Sequence, residues 1–233
     1  MKTKLLFLFL VLFSSVKAQT SKLYFFYIIQ TDEGIGSTTD KANMLSLVSE
    51  ICKSTKQEAV NVEIASVSAT LSELKKVVSR YSITESDVLW VYYSGHGENY
   101  DTWPQTDEGE LPLSEVHTWL KSQKAGLTIA MYDCCTWREP LIKRKSSEYS
   151  TCSFNFYKPL FLNSKGHLKI ASCSSTQFSF GSKGAGSIFT NNFIDAIRSQ
   201  ASWKEVLNAA KVGTESMAKA YNREQNPQFR VEQ

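Results

Sequence analysis

The sequence predicts an α/β fold built on a mainly parallel sheet. Two observations predict it. Apolar strand-like runs alternate with amphipathic helical runs along the chain, the order seen when helices carry the chain back to begin each new parallel strand. The runs that lead into His96 and into Asp133 are almost wholly apolar, as central strands covered on both faces must be.

The elements follow in order. Leu23 to Ile29, rich in aromatic and β-branched residues, predicts the first strand. Thr31 to Asp40, rich in Gly, Ser, Thr and Asp, predicts a loop. Met44, Leu45, Val48, Ile51 and Cys52 fall at helical spacing. Val60 to Val67 predicts the second strand. Leu71, Leu74, Val77, Val78 and Tyr81 mark the second helix, with Thr70 and Glu73 spaced as a capping box. Val88 to Tyr93 predicts the third strand. Leu113 to Leu120 reads as a helix with Ser114 as its N-cap. Leu127 to Tyr132 and Leu168 to Ala171 predict the fourth and fifth strands. Ile188 to Ile197 and Trp203 to Tyr221 predict helices, and Phe229 to Glu232 a last edge strand. Thr136 to Gly166 lacks clear periodicity, and segments this long are usually functional or flexible. No Pro/Gly-rich linker and no internal repeat divides the chain, so residues 19–233 read as one domain.

Composition excludes several classes. A chain of 233 residues with 42% hydrophobic and 21% charged residues is neither disordered, nor collagen-like, nor a coiled coil. Its first residues carry the three-part layout of a secretory signal peptide. Lys2 and Lys4 precede the apolar run Leu5 to Phe13, and Val16 and Ala18 stand at the −3 and −1 positions of a cut before Gln19. The run is too short for a bilayer, which needs about 20 residues. Residues 1–18 are therefore expected to be a signal peptide, the alternative being a buried N-terminal strand. The expected product is exported to the periplasm or beyond, and no later apolar run or cleavage-site cysteine predicts a membrane anchor. The formal net charge of +3 comes from Lys2, Lys4 and Lys17. Without them basic and acidic residues balance, which gives no reason to expect a nucleic-acid partner.

Five cysteines are present, Cys52, Cys134, Cys135, Cys152 and Cys173. The odd count leaves one thiol free unless chains pair. No C-x-x-C occurs, and His96, His117 and His167 are scattered, so a zinc site is not expected. Adjacent Cys134 and Cys135 would lie on opposite faces of a strand.

Two strand ends carry the chemistry. The third strand runs into Tyr93-Ser94-Gly95-His96-Gly97, and the fourth into Asp133-Cys134-Cys135-Thr136. In open α/β sheets sites form beyond the carboxyl ends of strands. If these strands are neighbours, His96 and a cysteine emerge together. A thiol beside an imidazole is the arrangement of nucleophilic cysteine catalysis, because a nearby imidazolium lowers the thiol pKa from about 8.5. The flanking glycines would allow a tight turn and close approach of a substrate backbone. The plainer reading is a core cysteine and a histidine in a turn.

These residues resemble the caspase-like cysteine peptidases. Tyr-Ser-Gly-His-Gly after one apolar strand and Asp-x-Cys after the next carry the resemblance, and the separation of His96 from Cys135 is closer to the metacaspase branch, here of bacterial exported type. Ile170-Ala171-Ser172-Cys173-Ser174-Ser175, Gly186-Ser187-Ile188-Phe189-Thr190 and Gln225-Asn226-Pro227-Gln228 are similar to further family segments. The resemblance implies a caspase-like three-layer sandwich, with a six-stranded, mostly parallel sheet between helices. It implies His96 and Cys135 as a catalytic dyad, with the backbone N–H groups of Gly97 and Cys135 as an oxyanion hole. It implies Asp133, Asp40 and Ser94 as the pocket that binds Arg or Lys before the scissile bond. Asp40 has a second reading as a helix N-cap. Lys143-Arg144-Lys145 is either a self-cleavage site or a solvated basic loop.

The sequence departs from the family in places. Asp101, Asp107, Glu108 and Glu110 supply acidity after His96, but Ser114-Glu115 and Trp137-Arg138-Glu139 stand where calcium-holding members carry acidic residues. No cofactor is expected; calcium is the alternative, through a site these departures leave incomplete. Thr136-Trp137-Arg138 replaces the usual His-Ser-Gly after the cysteine. The expected activity is an exported cysteine endopeptidase acting on a protein or peptide substrate. The alternative is an inactive caspase-like binding module or scaffold. A redox role for Cys134 with Cys135 is disfavoured, because adjacent cysteines form a strained disulfide. Cys52, Cys152 and Cys173 read as core thiols, and His117 and His167 as surface imidazoles.

Overall fold

The computed structural model describes residues 20–31, 36–98, 103–104, 111–135, 156–174 and 177–232, with Glu98, Trp103, Pro104 and Cys135 described through their backbone alone. In chain order the elements are β1 (Lys22–Ile29), α1 (Ser37–Thr55), β2 (Glu58–Ala65), α2 (Leu71–Val78), β3 (Val88–Glu98), β4 (Trp103–Pro104), α3 (Leu113–Leu120), β5 (Leu127–Cys135), β6 (Gly166–Ala171), β7 (Gly181–Ser182), β8 (Gly186–Ser187), α4 (Ile188–Ser199), α5 (Trp203–Ala220) and β9 (Gln228–Glu232). Six strands form one sheet in the order β2-β1-β3-β5-β6-β9, with β4 paired to the end of β3. All neighbours on the six-strand path are parallel except β6 and β9.

Strand alternation sorts the side chains into two cores. Leu23, Phe25, Tyr27, Val88, Trp90, Tyr92, Ile129 and Met131 face α1, α4 and α5. Tyr24, Phe26, Ile28, Leu89, Val91, Tyr93, Ala130 and Tyr132 face α2 and α3. The near-continuous apolar runs of β1, β3 and β5 follow from this double coverage. The result is the expected three-layer α/β sandwich with a six-stranded, mostly parallel sheet.

Several boundaries differ from the sequence reading. α1 begins at Ser37, inside the expected loop. Gly36 permits this by adopting φ 81°, and its carbonyl accepts the N–H groups of Thr39 and Asp40. A Cβ there would lie 2.5 Å from the Ser182 carbonyl oxygen, so glycine is required twice over. β2 stops at Ala65, where its pairing with Ile29 of β1 ends. Val67 falls in a 3₁₀ turn over Ser66–Ser68. Thr70 does cap α2, accepting the Glu73 N–H at 3.2 Å. The return half of the capping box is absent: Thr70 N–H already donates to Ser68, and Glu73 pairs with Lys76. At α3 the cap is Pro112 rather than Ser114. The Pro112 carbonyl accepts from Glu115 and Val116, leaving Ser114 inside the helix.

The largest difference lies at His96. The Gly-His-Gly stretch is strand, not a tight turn. β3 continues to Glu98 because Gly95 and His96 stay in register with Cys134 and Cys135, and Gly97 and Glu98 pair with β4.

Candidate active site

β3 and β5 are parallel neighbours with no strand between them. Their register sets Ser94 opposite Asp133, Gly95 opposite Cys134, and His96 opposite Cys135. The two strand ends identified in the sequence therefore form one edge. Cys134 lies on the α2/α3 face, 1% exposed and packed in that core. Cys135 comes one residue later and shares the strand parity of Asp133.

His96 is half-buried and is held through its peptide groups. Its N–H donates to Gln30 Oε1 at 2.8 Å, and its carbonyl accepts from the Tyr93 hydroxyl at 2.5 Å. Gln30 Oε1, 3.1 Å from the same hydroxyl, is the second acceptor of that single proton. A Cβ at Gly95 would lie 2.5 Å from the Tyr93 hydroxyl oxygen and 2.7 Å from Gln30 Cβ. Glycine is needed before the histidine for this close approach, not for a turn. Gly97, the implied oxyanion-hole residue on β3, is buried and pairs with Pro104 of β4.

Asp40, Ser94 and Asp133 meet beneath that edge, all buried. Ser94 Oγ donates to Asp40 Oδ2 at 2.8 Å, and the Ser187 N–H donates to Asp40 Oδ1 at 2.7 Å. Asp133 Oδ1 accepts from Ser179 Oγ at 2.5 Å. Asp133 Oδ2 accepts from the Ser187 hydroxyl, from the Thr190 N–H at 3.0 Å and from Thr190 Oγ1 at 2.7 Å. Both carboxylates thus sit at the N-terminal end of α4, where unpaired N–H groups and the helix dipole favour negative charge. Burial, and then the charge of Asp133, push the Asp40 carboxyl up to about 7, against the donated Ser187 and Ser94 hydrogen bonds. Asp40 is not the N-cap of α1; that position is Gly36, and Asp40 lies within the first turn. Gly186, at φ 75°, leaves the room Asp40 needs: a Cβ there would lie 2.5 Å from Asp40 Oδ1.

An outer ring supports this nest. Gln225, 1% exposed, donates to the Ser172 carbonyl and to Ser179 Oγ, and accepts from the Phe180 N–H. From the sequence, Ser179 and Gln30 carry no assigned role, and Ser187 and Thr190 stand only within a segment similar to the family. Ser187 and Thr190 carry a readable signal, a hydroxyl pair at N-cap spacing before an apolar helix; Ser187 Oγ accepts the Thr190 N–H. Gln30 carries only the weak signal of a polar residue ending an apolar strand.

The remaining titratable residues divide differently. Cys52 is a core thiol, and burial pushes it up to about 11. Cys173 is buried, and its Sγ faces the carbonyls of Cys134 and Gln177. His117 is not a surface imidazole. It falls on the inward stripe of α3 with Leu113, Val116 and Leu120, is 6% exposed, and burial lowers its pKa. His167 is half-buried against Thr128 Oγ1. Residues 1–18, Asp101, Asp107, Glu108, Glu110, Trp137-Arg138-Glu139, Lys143-Arg144-Lys145 and Cys152 lie outside the described residues. Among the described residues no group of three or more His, Cys, Asp or Glu side chains could hold a metal ion. Nor is any described helix long and apolar enough to cross a membrane.

A family model described as the caspase domain matches residues 25–233. A search of curated proteins returns no match. The matched stretch includes every strand from Phe25 onward and both strand ends that carry His96 and Cys135. The chain therefore belongs to the caspase-domain family of cysteine peptidases.

Proposed function

We propose that this chain is a cysteine endopeptidase of metacaspase type, with His96 and Cys135 as its dyad and a preference for Arg or Lys before the scissile bond. The observation that carries the reading is the β3–β5 register, which sets position 96 opposite position 135 at the carboxyl edge of the sheet. The Cys135 thiolate attacks the scissile carbonyl and forms a C–S bond. The oxyanion faces the backbone N–H groups of Gly97 and Cys135. The C–N bond then breaks as His96 gives its proton to the leaving amine. Water, deprotonated by His96, hydrolyses the acyl-enzyme and restores the thiol.

The preference for a basic side chain is supported by Asp40 and Asp133. A carboxylate offers about four acceptor sites, and Ser94 and Ser187 account for two of those on Asp40. A guanidinium or ammonium group entering beside the pair would supply the charge that the buried carboxylates lack. Export through a signal peptide at residues 1–18 belongs to the same proposal, as does action without calcium.

The test is cleavage of otherwise identical peptide reporters bearing Arg, Lys, Asp or Asn before the scissile bond. Turnover of the Arg and Lys peptides that disappears in Cys135→Ala is the expected result. Equal rates in parent and Cys135→Ala would reject the dyad. Faster cleavage after Asp would reject the pocket alone.

A further inference from the structure

We propose that Gln30 is the positioning residue for His96, its side-chain carbonyl taking the place of its own backbone carbonyl in the ladder; this rests on His96 acting as proposed above.

The geometry of the β1–β3 ladder carries the inference. In a parallel pair, one residue donates its N–H to the facing strand and accepts, through its own carbonyl, the N–H two residues further along that strand. Gln30 makes the first of these bonds: its N–H donates to the Ser94 carbonyl at 3.0 Å. A continued ladder would bring the His96 N–H to the Gln30 backbone carbonyl. It does not continue, because the chain leaves the sheet here to enter α1. The Gln30 carbonyl instead accepts from Ser37 Oγ at 2.5 Å. On that side the His96 N–H turns to the Gln30 side chain. Gln30 Oε1 accepts it at 2.8 Å.

The side chain is itself held in place. The single Tyr93 hydroxyl proton is shared between the His96 carbonyl at 2.5 Å and Gln30 Oε1 at 3.1 Å, so both peptide groups of His96 belong to one three-residue network. Gly95 makes room for it, since a Cβ there would collide with the Tyr93 hydroxyl and with Gln30 Cβ. Gln30 thus lets β1 end, α1 begin and β3 stay extended through His96. A backbone fixed at this position fixes the origin of the imidazole relative to Cys135 across the ladder. Small displacements of a reacting group cost rate without a matching loss of binding.

The network predicts separable effects. Gln30→Met keeps the length of the side chain and removes the acceptor. Gln30→Glu keeps an acceptor oxygen. Loss of one hydrogen bond to a buried backbone group corresponds to a fold-change of about ten. In Gln30→Met the kcat for an Arg peptide should fall by about tenfold or more with KM within about twofold, the pattern of lost positioning. Alkylation of Cys135 by iodoacetamide at neutral pH, read by peptide mapping, should slow in parallel. Amide hydrogen exchange at His96 should accelerate by about tenfold in Gln30→Met, because its acceptor is gone. Gln30→Glu should restore all three readouts to within about threefold of the parent.

His96→Ala is measured beside them. If His96→Ala loses turnover and Gln30→Met does not, or if the His96 amide stays protected in Gln30→Met, the role given to Gln30 is wrong. If His96→Ala keeps full turnover, the dyad is wrong, and the exchange result still decides whether Gln30 holds the His96 peptide. Should Gln30→Met fail to fold, Tyr93→Phe removes the second bond of the network. It should reproduce the kcat loss and the unchanged KM at smaller amplitude; a parent-like kcat in Tyr93→Phe would then overturn the proposal.

Discussion

His96 and Asp133 lie on adjacent strands, two register positions apart, yet they are held in opposite ways. His96 is half-buried and anchored through its backbone, by Gln30 and Tyr93. Asp133 is 3% exposed and anchored through its carboxylate, which accepts from Ser179, Ser187 and Thr190. The difference separates a residue held by its peptide groups from one held by its side chain. The side chain assigned to proton exchange in the proposed dyad is positioned through its peptide groups. A buried carboxyl group is wrapped in donors, since a buried polar group left without hydrogen bonds is strongly destabilising. Substitutions at the two places should therefore report on different quantities.

The largest expected effect is on turnover. His96→Ala and Cys135→Ala should each lower peptide cleavage on the order of 10³-fold or more, as loss of an acid–base group or nucleophile does. Urea unfolding should place His96→Ala within about 1 kcal/mol of the parent, because a partly exposed side chain is removed and its backbone anchors remain. A collapse in stability at His96 would break the contrast.

Asp133→Ala should do the reverse first, destabilising the fold by about 3–5 kcal/mol as four donors lose their shared acceptor, two of them from α4. Urea midpoints compared with those of His96→Ala test this directly. A parent-like midpoint would mean that the nest carries no structural load.

Asp40 sharpens the picture through pH. Its folded carboxyl holds a proton up to about pH 7, while an unfolded aspartate loses it near pH 4. Between those values the folded chain binds more protons, so this group's contribution to stability falls as pH rises from about 4 to about 7 and is constant above. Asp40→Asn should flatten that part of the stability–pH curve. An unchanged slope would assign it to another group.

Ser187→Ala should cost about 1–2 kcal/mol, since Ser187 both caps α4 and donates to Asp133. The smallest effect on turnover is expected at the neighbouring thiol. Cys134→Ala removes a side chain from the α2/α3 core, costs about 1 kcal/mol of stability, and leaves peptide cleavage within about twofold. Loss of turnover there would move the nucleophile from Cys135 to Cys134.

Much of this was legible in the sequence because it is periodic. Alternation and apolar runs located β1, β3, β5 and β6, and helical spacing located α2, α4 and α5. The Gly-His-Gly and Asp-Cys-Cys motifs stood out because polar residues end apolar strands. What escaped depends on packing and backbone geometry, some of it within a turn and some between distant segments. His117 reads as an exposed imidazole until α3 is laid on the sheet. Ser114 reads as a cap until the Pro112 carbonyl is seen to begin the helix. Gly95 reads as a turn former until Tyr93 and Gln30 are seen to need its missing Cβ.

The order of apolar and amphipathic segments determined an α/β sandwich, local chemistry marked His96 and a cysteine at two strand ends, and the resemblance to the caspase-like family added Cys135, Asp133, Asp40 and Ser94 as the residues to bring together. The first two are encoded within single segments, by periodicity and residue type. Only the tertiary structure decided that β3 and β5 are neighbours in a register that sets 96 opposite 135. Only it joined Asp40 and Asp133 at the N-terminus of α4, and set Gln30 under the His96 peptide. Those pairings span 147, 57 and 66 residues of chain. Contacts between segments so far apart leave no periodicity in the sequence; they exist only once the sheet has chosen its strand order.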